Sequence, residues 1–130
     1  MTLVAVYGSL RKGFGNHRRL DGATYKGTTK TLRPFAMYSL GGFPMVQLDG
    51  AKVAPITVEI YECDDGVLAG LDQLEGYRGP GKSNFYDRSE VDTGLGTVLI
   101  YHIEDRPAPQ AALVESGDWK EYCDNRGSRW

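Results

Sequence analysis

The sequence predicts an α+β fold: a small mixed β-barrel or curled sheet of about six strands with a few short packed helices. Three observations carry that expectation. Strand-length apolar or alternating runs recur at 3–10, 30–40, 44–48, 55–62, 85–92 and 97–104, separated by turn-forming residues. A single segment, 66–75, shows the apolar period of a helix. No repeat or linker divides the 130 residues, so 1–130 reads as one domain, long enough for a hydrophobic core.

Each element has its own justification. "LVAVYGSL" (3–10) is a continuous apolar run that stops at Gly8-Ser9, a buried first strand ending in a turn. The next twelve residues, "RKGFGNHRRLDG", are polar with three glycines and predict a loop with a helical turn around 16–20. "KTLRPFAMYSL" (30–40) and "PMVQL" (44–48) read as strands parted by Gly41-Gly42, and "PITVEIYE" (55–62) alternates as a strand does. Asp64 or Asp65 supplies an N-cap for the helix at 66–75, and Gly76 its stop. "GYRGPGKSN" (76–84) has the composition of a mobile loop. The runs 85–92 and 97–104 predict an antiparallel pair around "DTGLG", and the tail from 106 predicts one or two short helices before a polar end.

Composition removes several classes of function. Apolar residues are 41% and charged residues 25%, with a formal net charge of -2, so neither a nucleic-acid partner nor a membrane partner is indicated. No apolar run approaches the roughly 20 residues of a membrane span. "MTLVAVYGSL" carries no basic leader, which points to a cytoplasmic protein. Cys63 and Cys123, sixty residues apart with no CxxC, read as thiols in a reducing compartment. His17 and His102 have no clustered companions, so no metal site is expected.

Two local features point to chemistry. "YGSLRKGFG" fails as a phosphate loop, because Phe14 stands where the lysine belongs, and as a dinucleotide fingerprint. Ser9 lacks the second glycine of a nucleophile elbow. What remains is a strand ending at a Gly-Ser turn, either a plain turn or one whose backbone N–H groups converge on an anion. The second feature is Glu75. Val67, Leu68, Leu71 and Leu74 mark the inward face of the helix, and Glu75 falls on or beside it. A carboxylate there sits at the negative end of the helix dipole and is partly buried, and both effects raise its pKa toward the range useful for proton transfer.

"VYGSLRKGFGNHRRL", then "LDQLEG", then "FYDRSEV" resemble, in order, the pattern of the gamma-glutamylcyclotransferase-like family. "MYSLGGFP" and "ESGDW" are similar to its YtfP-type branch and to the gamma-glutamylamine cyclotransferases. The resemblance implies a small mixed barrel and the release of 5-oxoproline from a small gamma-glutamyl amine or amino acid, with no cofactor. It implies that Tyr7, Gly8, Ser9 and Leu10 hold the glutamyl group, with Tyr86 helping to shape the cavity, and that Glu75 is the catalytic acid/base. The alternative is a binding module that keeps the pocket without turnover. The resemblance leaves the oligomeric state open. Arg88 is expected to shape the cavity or barrel. Two departures from the pattern stand out. The segment 76–85 is longer than in relatives and can act as a lid or reshape the pocket. Val58-Glu59 replaces the usual Gly-Glu, so Glu59 is either a second carboxylate supporting the site or a structural group of the barrel.

Overall fold

The computed structural model describes residues 1–104 and 112–127. Six strands are present: β1 (Thr2–Val6), β2 (Thr24–Ser39), β3 (Pro44–Gln47), β4 (Ala54–Cys63), β5 (Asp87–Thr93) and β6 (Gly96–His102). Two helices, α1 (Asp65–Glu75) and α2 (Trp119–Gly127), and a 3-10 turn at His17–Leu20 complete the described elements. The sheet runs β3-β2-β4-β1-β6-β5, and Thr31 of β2 also pairs with Thr93 of β5. That last pairing closes β2, β4, β1, β6 and β5 into a five-stranded barrel, with β3 as an extra strand on β2. The β1–β6 pair is parallel and the others are antiparallel. The expected mixed barrel is therefore the observed one.

Alternation along the strands sorts the core into two layers. Val4 and Val6 join Ala36, Tyr38, Met45, Tyr61, Tyr101 and Leu71 of α1 in one cluster. Ala5 and Tyr7 join Met37, Val46, Ile56, Val58, Ile60, Val91 and Ile100 in the other, which draws on all six strands and so fills the barrel. Trp119 of α2 packs into this second layer. Burying a leucine or valine side chain contributes about 1.5–3 kcal/mol, so these two layers hold the closed sheet.

Several boundaries differ from the sequence expectation. β1 ends at Val6, and Tyr7–Leu10 form the turn itself. β2 begins at Thr24 rather than near 30; its first half is largely exposed, so no apolar pattern marks it, and pairing with β4 makes it a strand. Register shifts at Tyr25/Gly27 and Lys30/Pro34 let this long strand bend around the barrel. The expected pair at 85–92 and 97–104 is present as β5 and β6, joined by the two residues Gly94-Leu95. Of the tail, α2 is one of the expected helices, while residues 105–111 and 128–130 lie outside the described residues.

The helix α1 follows its caps. The Asp64 side chain accepts from the Val67 N–H at 2.8 Å, and Gly76 closes the helix at φ 69°. Leu71 is fully buried, and Val67, Leu68 and Leu74 pack on the same cluster. This stripe orients the last turn, and with it Glu75.

Candidate active site

A cavity of about 300 Å³ is walled by the turn after β1, the start of β3, the end of α1, the residues before β5 and β6. Tyr7, Gly8, Ser9, Leu10, Glu75 and Tyr86 all line it, so the structure brings together every site residue expected from the sequence. Asn16, Phe43, Pro44, Phe85 and Tyr101 complete the wall around them.

The turn Tyr7–Leu10 is polarised. Its carbonyls are engaged: Gly8 O accepts from Arg11 N at 3.0 Å, Ser9 O from Asn16 N at 3.0 Å, and Leu10 O faces His17 Nδ1 at 3.0 Å. The N–H groups of Gly8, Ser9 and Leu10 donate to no described residue. Consecutive free amides beside a cavity are donors for a carboxylate or an oxyanion. The Ser9 hydroxyl accepts from Asn16 Nδ2 at 2.9 Å, so its neighbour is an amide and not a base.

Glu75 is the last residue of α1, and burial pushes its carboxyl up to about 7. No basic residue stands in the last helical turn, and no ion pair or hydrogen bond joins its carboxylate to a described residue. A carboxyl left unpaired at this pKa can both take and give a proton near neutrality.

The phenols around Glu75 are held as donors. Tyr7 Oη donates to the Tyr101 carbonyl at 2.7 Å, and burial, with Tyr86 and Glu75 nearby, raises its pKa well above the ordinary value. Tyr86 Oη donates to the Pro44 carbonyl at 2.7 Å. Tyr101 Oη donates to Asp72 Oδ1 at 2.6 Å, and Asp72 Oδ2 accepts from Arg88 Nη1 at 2.6 Å. Burial and then Asp72 push the Tyr101 phenol up. The Arg88 guanidinium lies over the Tyr77 ring at 4.6 Å. Arg88 thus supports the cavity wall from behind and does not line it.

The segment 76–85 is cross-tied. Phe85 N donates to Gly76 O at 3.0 Å and Tyr86 N to Glu75 O at 3.1 Å, which pinches the loop at its base. Inside it, Asn84 accepts from Arg78 N at 2.7 Å and donates to Gly79 O at 2.9 Å and to Asp87 Oδ1 at 3.2 Å.

Glu59 lies outside the cavity wall and fixes the turn from below. Its carboxylate accepts from Arg11 Nε at 3.0 Å, Lys12 N at 2.9 Å and Tyr61 Oη at 2.8 Å, and Arg11 Nη1 reaches Asp118 Oδ1 at 2.9 Å. Burial opposes the Arg11 charge, but Glu59 and Asp118 outweigh it and raise its pKa. A Ser–His–carboxylate chain, Ser89 Oγ to His102 Nε2 and His102 Nδ1 to Glu104 Oε2, both at 2.7 Å, ties β5 to β6. Glu104 is bound in turn by the amides of Leu48 and Asp49, and none of the three residues of this chain lines the cavity. Cys63 and Cys123 are thiols, and burial raises Cys63 to about 11.

Residues 4–121 match the family described as gamma-glutamyl cyclotransferase, AIG2-like. The chain belongs to this gamma-glutamyl cyclotransferase family. A Methanocaldococcus jannaschii protein, provisionally named a gamma-glutamylcyclotransferase, is 38% identical over 94% of this chain and 98% of its own length. The Niallia circulans gamma-L-glutamyl-butirosin B gamma-glutamyl cyclotransferase is 32% identical over 90% of this chain and 74% of its own. A mouse AIG2-like protein superposes with a TM-score of 0.75 at 25% identity, covering 92% of this chain and 88% of that one.

Within this gamma-glutamyl cyclotransferase fold, sequence reasoning missed Asn16, Phe43, Pro44, Phe85 and Tyr101. Phe43 and Pro44 were visible only as the end of "MYSLGGFP" and, for Pro44, as the start of a strand, with no sign that they face a cavity. Tyr101 sits in a strand whose alternation marks a barrel residue and nothing more. No helix among the described residues is long and apolar enough to cross a membrane.

Proposed function

We propose that this protein is a gamma-glutamyl cyclotransferase that releases 5-oxoproline from a small gamma-glutamyl amine or amino acid, with Glu75 as its general acid/base. The observation that carries this reading is the Glu75 carboxyl, near pKa 7 and unpaired among the described residues, sharing one cavity with the Gly8, Ser9 and Leu10 amides that donate to none of them. Glu75 takes a proton from the substrate's alpha-amine, whose nitrogen then attacks the gamma-carbonyl carbon. The new N–C bond closes the five-membered lactam, and the bond to the outgoing amine breaks. The proton held by Glu75 passes to that amine, so no water is consumed. The nucleophile is tethered in the substrate, and holding a folded conformer removes much of the entropic barrier. The backbone amides of the turn bind the alpha-carboxylate or the oxyanion that develops on the carbonyl oxygen.

A panel of gamma-glutamyl amides and dipeptides, incubated with the protein and followed for 5-oxoproline by mass spectrometry, tests this reading. Product from at least one member, lost in Glu75→Gln, is the expected result. Binding of 5-oxoproline without turnover of any member would replace the enzyme with a binding module.

A further inference from the structure

The opening of the cavity is aromatic and uncharged. Most of the wall is buried, including Tyr7, Leu10 and Tyr86, whereas Phe43 is 36% and Phe85 44% exposed. With the exposed Gly42 beside them, these two lining residues mark where the cavity meets solvent. Their rings lie 6.3 Å apart and tilted, and Phe85 stands edge-on to Tyr86 at 5.2 Å. Phe85 is fixed relative to Glu75 by the paired backbone bonds Phe85 N to Gly76 O and Tyr86 N to Glu75 O. Phe43 is fixed from the other side, because the adjacent Pro44 packs on Gly8 and accepts from Tyr86 Oη.

The charge of the wall is as informative as its shape. Among the described residues Glu75 is its single acidic one, and neither lysine nor arginine lines it. At the exposed Phe43–Phe85 end, an ammonium or carboxylate carried by the outgoing group would leave water without an oppositely charged side chain among the described lining residues, at a cost that an apolar group avoids. In the reaction proposed above, the outgoing amine must lie beside Glu75 to receive its proton, and the rest of that group points to the opening. There it meets the faces and edges of the contacting Phe43 and Phe85 rings.

Resting on the cyclotransferase reading, we propose that Phe43 and Phe85 form the leaving-group subsite and select an uncharged apolar amine, of the arylalkyl kind, over an amino acid or a diamine. Offset or edge-on stacking and the burial of apolar area then favour that amine.

Four substrates test this: the gamma-glutamyl derivatives of methylamine, benzylamine, glycine and 1,4-diaminobutane, compared by kcat/KM for 5-oxoproline release. The expected order places benzylamine at least ten-fold above methylamine, the scale of discrimination an apolar pocket reaches. Glycine and diaminobutane fall at or below methylamine. In Phe43→Ala/Phe85→Ala the benzylamine-to-methylamine ratio falls toward one; Phe43→Leu/Phe85→Leu, which keeps apolar bulk, retains part of it. Turnover of methylamide with no gain for benzylamide, or a preference for the diamine or glycine, overturns the subsite while leaving the cyclotransferase reading intact. A benzylamide preference that survives in the double alanine variant also overturns it. No product from any of the four overturns both.

Discussion

Pro44 packs against Gly8 so closely that a Cβ on residue 8 would lie 2.7 Å from the proline Cδ and 2.8 Å from its Cγ. Glycine is therefore required at the turn for the packing of β3 as well as for access to the backbone amides. Gly8→Ala should push Pro44 away and disturb the Tyr86 hydroxyl bonded to its carbonyl. A loss of about 1–3 kcal/mol in denaturant unfolding is expected, as for overpacked cores, together with weaker 5-oxoproline binding. Unchanged stability and binding in Gly8→Ala would show that the chain relaxes around this contact without consequence.

Glu75→Gln should lower turnover at least the roughly 100-fold typical of a lost general acid–base group. Its effect on stability should depend on pH with a definite sign. The folded carboxyl, raised from 4.5 to about 7, keeps its proton in a range where the unfolded one has lost it. Wild-type stability therefore falls as pH climbs through that window, by on the order of 3 kcal/mol, and levels off above it. The glutamine variant lacks this loss. Melting curves of the two proteins should coincide near pH 4 and separate in favour of the variant by pH 8. A separation independent of pH would mean that the Glu75 carboxyl titrates normally.

Ser9→Ala should keep turnover within about ten-fold of wild type. The hydroxyl accepts one hydrogen bond from Asn16 and faces no base, and a bond of that kind contributes about 0.5–1.5 kcal/mol. A folded but inactive Ser9→Ala protein, or an acyl-enzyme mass adduct at Ser9, would point to covalent catalysis instead.

Arg11→Met should destabilise the protein by about 3–5 kcal/mol, because it strips the buried Glu59 carboxylate of its cation. Arg11→Met combined with Glu59→Gln should recover part of that loss, since the charge is removed with its partner. Chemical unfolding of the two variants measures both quantities. A double variant no more stable than Arg11→Met alone would show that the two side chains are not coupled.

What could be read in the sequence was whatever lay within a few residues of its own cause. The helix period placed Glu75 on an apolar face, and the Gly8-Ser9 stop placed a turn after the first strand. Tyr86 needed the family resemblance, because nothing local separates it from other strand tyrosines. The rest depended on pairs remote in sequence. Arg11 meets Glu59 and Asp118, Tyr101 meets Asp72, and Gly8 meets Pro44 only once the barrel is closed. The same contacts hold the Glu59 carboxylate under the turn and off the cavity wall. The exposed start of β2 was missed because strand pairing, and not burial, makes it a strand.

The parallel pairing of Val4 with Leu99 and of Ala5 with Ile100 joins the first of the described strands to the last. While the protein is being synthesised, β1 leaves the ribosome well before β6 and must wait for the strands between them before it meets β6. Tyr7, at the end of β1, waits for the Tyr101 carbonyl in the same way. Contacts that span so much chain carry a large loop-closure cost before any of them is rewarded, and folding on the millisecond-to-second scale is expected. The cavity is then among the last parts to mature. In stopped-flow refolding, 5-oxoproline binding should appear no earlier than the slowest gain of β structure, and a ligand-competent species formed ahead of barrel closure would contradict this order.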